Sequence, residues 1–174
     1  MNVTCQSILL ILLAALLGMN YAVADNVTVN VSGKVIPTPC MLDLVNSDLD
    51  VNLGENLQAG DLANTGATST PVSFKLVVSA CPTTTTLAVA SFSGTEDTGA
   101  PGRYISTGDA QNVAVEVKGV SSATTLKGPG TTMSQSVDQV AHTATFNMQA
   151  NVYAKGPATP GNVAATLQVS FIYQ

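Results

Sequence analysis

The chain has 174 residues, a formal net charge of −5, only 10% charged residues and a single histidine. An acidic chain is not attracted to nucleic acid or to an anionic membrane surface, so the charge disfavours both as partners. Valine, threonine, serine, alanine and glycine dominate instead, which is typical of an exported all-β protein.

The first residues predict an export signal. An apolar run at residues 8–17 is too short to span a bilayer comfortably, and the small residues Ala22 and Ala24 follow it at the positions that a signal peptidase reads. We therefore predict a signal peptide at residues 1–24 and a mature chain that starts at Asp25 and has no membrane span. The alternative is an ordinary buried helix. The mature chain is long enough for one domain with a sizeable core.

The mature chain opens on a stretch in which apolar and polar residues alternate. One face of residues 26–35 carries Val27, Val29, Val31, Gly33 and Val35. The other face carries Asn26, Thr28, Asn30, Ser32 and Lys34. Alternation with a period of two predicts a half-buried β-strand. Such a strand either belongs to its own domain or pairs with another molecule.

Further alternating runs predict short strands along the rest of the chain. They lie at residues 41–45, 49–53, 71–78, 86–92, 112–118, 141–153 and 163–174. Polar loops rich in glycine and proline separate them, the longest at residues 54–70 and 95–108, and no strong helical periodicity follows the signal. Short strands with frequent turn signals predict an antiparallel β-sandwich, and no internal repeat or linker divides it.

Two cysteines, Cys40 and Cys81, remain once the predicted signal peptide is removed. An even pair in an oxidising compartment predicts a disulfide. It would close a loop of about 40 residues and contribute on the order of 4 kcal/mol in the chain-entropy model. A metal or redox pair is the alternative, but the chain has no CxxC motif and only one histidine.

No combination of residues predicts an active site. His142 lies in a predicted strand, where a lone histidine is usually structural, and the chain has no GxSxG nucleophile motif. The acidic pairs Asp48 and Asp50, and Glu96 and Asp97, lack the spacing of a calcium loop. We therefore predict that the chain is not an enzyme and that it holds no metal or cofactor.

Several short motifs occur in an order and spacing that are typical of one family. They are VTVNVSGKV at residues 27–35 leading into Pro39-Cys40, Cys81-Pro82, ASFSG at 90–94, GDAQNV at 108–113, and Tyr173 as the penultimate residue. Through them, essentially the whole mature chain resembles the type 1 fimbrial subunits that the bacterial chaperone–usher pathway assembles. The opening stretch is most similar to the minor adaptor subunits of the pilus tip.

The resemblance implies an all-β fold, an immunoglobulin-like antiparallel β-sandwich that lacks its final strand and leaves a hydrophobic groove. It also implies three partners: a periplasmic chaperone that first fills the groove, an outer-membrane usher, and neighbouring pilin subunits joined by donor-strand exchange. The expected parts are a signal peptide at 1–24, a donor-strand extension at 25–36 and a pilin domain at 37–174. The expected route leads through the periplasm to a fimbria on the cell surface.

The family's functional positions match residues of this chain one by one. The donor positions match Val27, Val29, Val31, Gly33 and Val35. The family disulfide matches Cys40 and Cys81. Gly161 and Tyr173 match the family's C-terminal assembly pattern, in which the last strand borders the groove and pairs with the chaperone or the donor. Alternation places Leu167, Val169 and Phe171 on the same face of that strand as Tyr173, so we assign them to the groove strand as well.

Two functions remain open at this point. The first is a structural subunit of an adhesive fimbria, whose activity is assembly. The second is a secreted immunoglobulin-like adhesin module that binds a receptor or glycan. The family's adhesins carry a lectin domain ahead of the pilin domain, and a mature chain of this length has room for one domain only.

Overall fold

The structure is a computed structural model that describes residues 27–36, 38–120 and 122–174. The predicted signal peptide at 1–24 lies outside the described residues. The chain divides into two units, one ending at Val35 and the other running from Ile36 to Gln174. In the described part of the chain, no helix combines the length and the apolar character that crossing a membrane requires.

The second unit is built almost entirely from strands. In chain order its elements are β1 (Met41–Leu42), a 3₁₀ helix (Ala59–Leu62), β2 (Val72–Ser79), β3 (Leu87–Gly94), β4 (Tyr104–Ile105), β5 (Val113–Gly119), β6 (Ser122–Leu126), β7 (Thr132–Ser136), β8 (Ala144–Ala154) and β9 (Leu167–Tyr173). The prediction of an all-β fold is confirmed.

These strands form two antiparallel sheets. The larger sheet has the order β1-β2-β8-β5-β4, with β6 also paired to β5, and the smaller sheet has the order β7-β3-β9. At the centre of the larger sheet β8 lies between β2 and β5, with Phe74 opposite Met148 and Val115 opposite Val152. In the smaller sheet Ala90 lies opposite Phe171.

The core lies between the two sheets because the long strands alternate apolar residues on their inner faces. The larger sheet contributes buried side chains from β2, β5 and β8, including Phe74, Val117 and Phe146. The smaller sheet contributes Phe92 and Met133. Complete burial of an aromatic or aliphatic side chain of this size stabilises the fold by about 1.5–3 kcal/mol. The predicted sandwich therefore has one main core shared by both sheets.

The segment between Cys40 and Gly54 differs from the prediction. The strand predicted at 41–45 is only two residues long, because the Asp43 carboxylate accepts hydrogen bonds from the backbone N–H groups at 45 and 46 and turns the chain out of the ladder. The strand predicted at 49–53 forms no ladder with any described residue.

Other differences arise from short elements inside predicted loops. The loop at 54–70 contains the 3₁₀ helix, and the loop at 95–108 contains β4, whose Tyr104 is fully buried and donates a 2.9 Å hydrogen bond to the carbonyl of Lys127. β7 was not predicted, since its sequence is mostly polar. His142 lies in the turn before β8 and not in a strand, because its φ of 55° is left-handed.

Candidate functional site

Strand β9 lies at one edge of the smaller sheet. It pairs with β3 from Ala88 opposite Tyr173 to Gly94 opposite Leu167, and β7 occupies the other side of β3. Among the described residues no second strand flanks β9. The outer edge of this strand is therefore a row of backbone groups without a ladder partner.

The pairing with β3 identifies which residues carry the free backbone groups. Leu87 and Gln174 exchange two hydrogen bonds, each 2.9 Å long. In an antiparallel ladder such hydrogen-bonded pairs alternate with pairs that are not hydrogen-bonded. The even-numbered residues from 168 to 174 therefore face β3. The backbone N–H and C=O groups that point to the open edge belong to Leu167, Val169, Phe171 and Tyr173.

The same four residues also turn their side chains toward the core. They are half-buried, whereas Gln168, Ser170 and Ile172 between them are exposed. The Phe171 ring lies 5.4 Å from the ring of Phe146, centroid to centroid, and 6.5 Å from that of Tyr173. This partial burial raises the pKa of the Tyr173 phenol above its usual value. One face of the core is thus only half covered, and we call this face the groove.

A second chain segment borders the same core. Val51 and Leu53 are half-buried and pack against the main core, as do Val163 and Ala165 just before β9. Leu53 and Val163 also both pack against a smaller apolar cluster around Leu62. Residues 49–53 make no backbone–backbone hydrogen bond to any described residue. Residues 49–53 and the outer edge of β9 therefore both have unpaired backbone and both pack against the same core, and sequence reasoning identified only β9.

The approach to β9 is fastened to the loop before β5. A Cβ atom added to Gly161 would lie 2.6 Å from the nitrogen of Ala110, and one added to Gly108 would lie 2.0 Å from the oxygen of Asn162. Ala110 donates a 3.1 Å hydrogen bond to the Asn162 carbonyl. The Asn162 N–H in turn donates to the Asp109 carboxylate, which lowers the pKa of Asp109. Gly161 therefore lies before β9, where two backbones meet too closely for a side chain.

The Gly161→Ala variant is expected to lose about 1–3 kcal/mol of unfolding free energy, because Ala110 or its loop must shift and the φ of +151° is unfavourable for alanine. Gly130→Ala is the matched control, since Gly130 has a φ of +81° but nothing within 4 Å of the added Cβ. Urea unfolding of both variants measures the difference. Equal losses would show that close approach at Gly161 is unimportant.

The predicted donor residues lie in the other unit. Residues 27–36 form no strand, and Val27, Val29, Val31 and Val35 have between 76% and 98% of their surface exposed. A Cβ atom added to Gly33 would have no neighbour within 4 Å. Four exposed valines in alternate positions are costly in water, so this stretch has the character of a strand without a partner.

The disulfide joins Cys40 to Cys81 at a Cα–Cα distance of 4.3 Å. Both cysteines are buried in the main core. Cys40 follows the donor-like stretch after a short segment that contains two prolines. The chain therefore enters the second unit at a covalently fixed point.

Comparison with known proteins identifies the family. A profile described as Fimbrial protein matches residues 29–174. The chain belongs to the fimbrial protein family. This fimbrial subunit is 33% identical to Protein FimG of Escherichia coli K12, over 92% of its own length and 94% of FimG. It is 32% identical to the S-fimbrial adhesin protein SfaS of Escherichia coli O6:K15:H31, over 87% of its own length and 88% of SfaS.

A solved structure supports the same fold. The P pilus rod subunit PapA superposes with a TM-score of 0.63 at 16% identity, over 79% of this chain and 100% of PapA. The fimbrial subunit is accordingly an incomplete immunoglobulin-like β-sandwich, as predicted. It is a structural pilus subunit that polymerises by donor-strand exchange, and the prediction that it is not an enzyme is confirmed by its family.

Proposed function

We propose that residues 27–35 are the donor strand of this fimbrial subunit and that the groove beside β9 accepts the donor strand of another subunit. The observation that carries the proposal is the match between two incomplete surfaces. One is a row of exposed valines at alternate positions. The other is an edge strand whose half-buried side chains and open backbone groups alternate with the same period.

The two surfaces also match in length. Residues 27–35 span about 27 Å as an extended strand, and residues 163–173 span about 33 Å. Burying four valines contributes about 6–12 kcal/mol before entropy is subtracted. Each backbone hydrogen bond adds about 0.5–1.5 kcal/mol. Together these terms are large enough for a stable joint without a covalent bond.

The proposal assigns a role to each predicted position. Val27, Val29, Val31 and Val35 fill the groove of the neighbouring subunit, and Gly33 allows a close approach of the two backbones. Leu167, Val169, Phe171 and Tyr173 form one wall of this chain's own groove, and Gly161 fixes the approach to that wall. The extension is residues 25–36, and the pilin domain is residues 37–174.

Before assembly, a periplasmic chaperone covers the groove by pairing with β9, and an outer-membrane usher exchanges it for the donor strand of the next subunit. An uncovered edge with apolar side chains would otherwise promote aggregation, which is the physical reason for a chaperone. This route requires export by the signal peptide at 1–24. The name of SfaS, an adhesin, favours the alternative of a glycan-binding module, but no described residues point to a glycan site.

Amide hydrogen exchange with a synthetic peptide of residues 25–36 tests the groove. We expect the peptide to slow exchange at Val169, Phe171 and Tyr173, whose N–H groups point to the open edge, and at residues 49–53. The amides of Ser170 and Ile172 are already bonded to β3 and should change little.

The control is the same peptide with aspartate in place of Val29 and Val31. It should protect none of these amides, because two unpaired carboxylates would be buried. Protection at the edge of β7, or equal protection by both peptides, would contradict the assignment of the groove.

A further inference from the structure

Exposed apolar side chains are concentrated directly after the buried Cys40. Met41, Leu44 and Val45 have 66%, 65% and 92% of their surface exposed, and Leu42 has 39% exposed. Leu42 lies opposite the buried Val78 and therefore turns toward the core side of the sheet, so we call the other three residues, Met41, Leu44 and Val45, the apolar ridge. Elsewhere in the described part of the domain, large exposed apolar residues occur singly along the chain, at Ile36, Leu49, Ile105, Val120, Val140 and Ile172. Single exposed residues are normal, whereas a contiguous group marks a contact surface.

The ridge is held in a fixed conformation. The Asp43 carboxylate accepts hydrogen bonds of 3.1 and 3.0 Å from the backbone N–H groups of Val45 and Asn46, and one of 2.8 Å from the Asn46 side chain. These bonds, above all that from the Asn46 side chain, lower the pKa of Asp43. The backbone N–H of Asp43 donates a 2.8 Å bond to Val77 on β2. Leu44 and Val45 are therefore held at the tip of an ordered turn, where they gain no internal packing.

The position of the ridge in the chain indicates its occupant. Met41 follows the last donor residue, Val35, by six residues, so their Cα atoms are at most about 20 Å apart. Ile36, which directly follows Val35 in the chain, is a further exposed apolar residue, with 71% of its surface exposed. Any subunit that holds Val35 in its groove must therefore lie close to the ridge of the donating chain.

We propose that the apolar ridge packs against the subunit that accepts this chain's donor strand, beside the entrance of its groove. The inference rests on the proposed donor role of residues 27–35. The partner is the body of a second fimbrial subunit with an apolar surface at that entrance. The joint between two subunits then has two contacts, the inserted strand and the ridge, which restrict bending about the short segment between Val35 and Cys40.

Hydroxyl-radical footprinting on a joined pair tests this inference. The donating copy is the mature chain labelled with ¹⁵N. The accepting copy, in excess and unlabelled, carries Val29→Asp and Val31→Asp so that it cannot donate. We expect oxidation of Met41 to fall at least threefold in the labelled copy and to stay at the monomer rate in the unlabelled copy. Val140, which is 92% exposed and far along the chain, serves as the internal reference.

The Leu44→Ser, Val45→Ser double variant of the labelled copy should still join, and it should recover most of the Met41 oxidation. The Val140→Ser variant should also join but should keep Met41 protected. A joined pair with unchanged Met41 oxidation, or with equal protection in both copies, overturns the ridge contact and leaves the donor strand intact. Protection of Met41 in a chaperone-bound monomer also overturns it. Failure to form any joined pair contradicts the donor assignment itself.

Discussion

Replacing Val29 and Val31 with aspartate is expected to abolish the attachment of this subunit to the subunit that accepts its donor strand. Each substitution removes about 1.5–3 kcal/mol of valine burial and places a carboxylate against apolar side chains. The combined loss of several kcal/mol corresponds to a reduction of more than 100-fold in joined subunits. Gel filtration of the joined pair measures the effect, and deletion of residues 25–36 should have the same result.

The opposite face of the same stretch provides the control. Thr28→Asp with Asn30→Asp adds the same charge at neighbouring positions, but these side chains point away from the groove when the valines point into it. This variant should join to within a few-fold of the unchanged chain. Both variants should bind chaperone equally, because their own grooves are intact. Equal loss in both variants would show that the alternation of residues 27–35 does not determine insertion.

The sequence predicts the long strands because each has an apolar face and pairs with at least one other strand of the chain. β2, β5, β8 and β9 all lie within one to four residues of their predicted bounds. The strands predicted at 41–45 and 49–53 do not form in full, because alternation alone does not determine where a ladder ends or whether a neighbouring strand is present. Asp43 ends one ladder with its own side chain, and residues 49–53 have no partner strand among the described residues. Alternation shows which residues can form a strand but not whether a neighbour is present.

The groove is a second feature that alternation in the sequence predicts only in part. Leu167 to Tyr173 was predicted as a one-sided strand, but only the structure shows that its apolar face is half-buried while that of β8 is buried throughout its centre. The contribution of Val51 and Leu53 required the tertiary structure. The close approaches of Gly108 to Asn162 and of Gly161 to Ala110 also required the tertiary structure, because the residues of each pair are far apart in sequence.

Glu116 is a residue whose burial the alternating pattern does not predict. It lies on β5 between the inward-facing Val115 and Val117, so the pattern predicts an exposed carboxylate. The structure buries it, with Arg103 at 2.6 Å and Lys118 at 2.5 Å. Burial alone would raise the pKa of Glu116, but the two cations outweigh it and lower that pKa. Glu116, Arg103 and Lys118 thus form a charge network on β5 and the segment before it.

Replacing Phe171 and Tyr173 with serine is expected to lower the periplasmic recovery of the subunit and of its one-to-one chaperone complex at least tenfold. Both rings are half-buried in the groove, and Phe171 contacts Phe146. Truncating a fully buried aromatic residue costs about 3–5 kcal/mol, so two half-buried rings together cost a similar amount. The open edge of β9 then offers a partner strand its backbone groups but little apolar surface. Co-purification with the chaperone measures the loss.

Ile172→Ser is the matched control because Ile172 lies between the two aromatic residues, is 58% exposed, and turns its side chain away from the core. It should leave recovery within about twofold, since exposed positions away from packed contacts have small effects. If Ile172→Ser reduced the complex as strongly as the aromatic pair, the loss would reflect general damage to β9. If the Phe171 and Tyr173 variant kept its full yield and its chaperone complex, these side chains would not form the wall that a partner strand recognises.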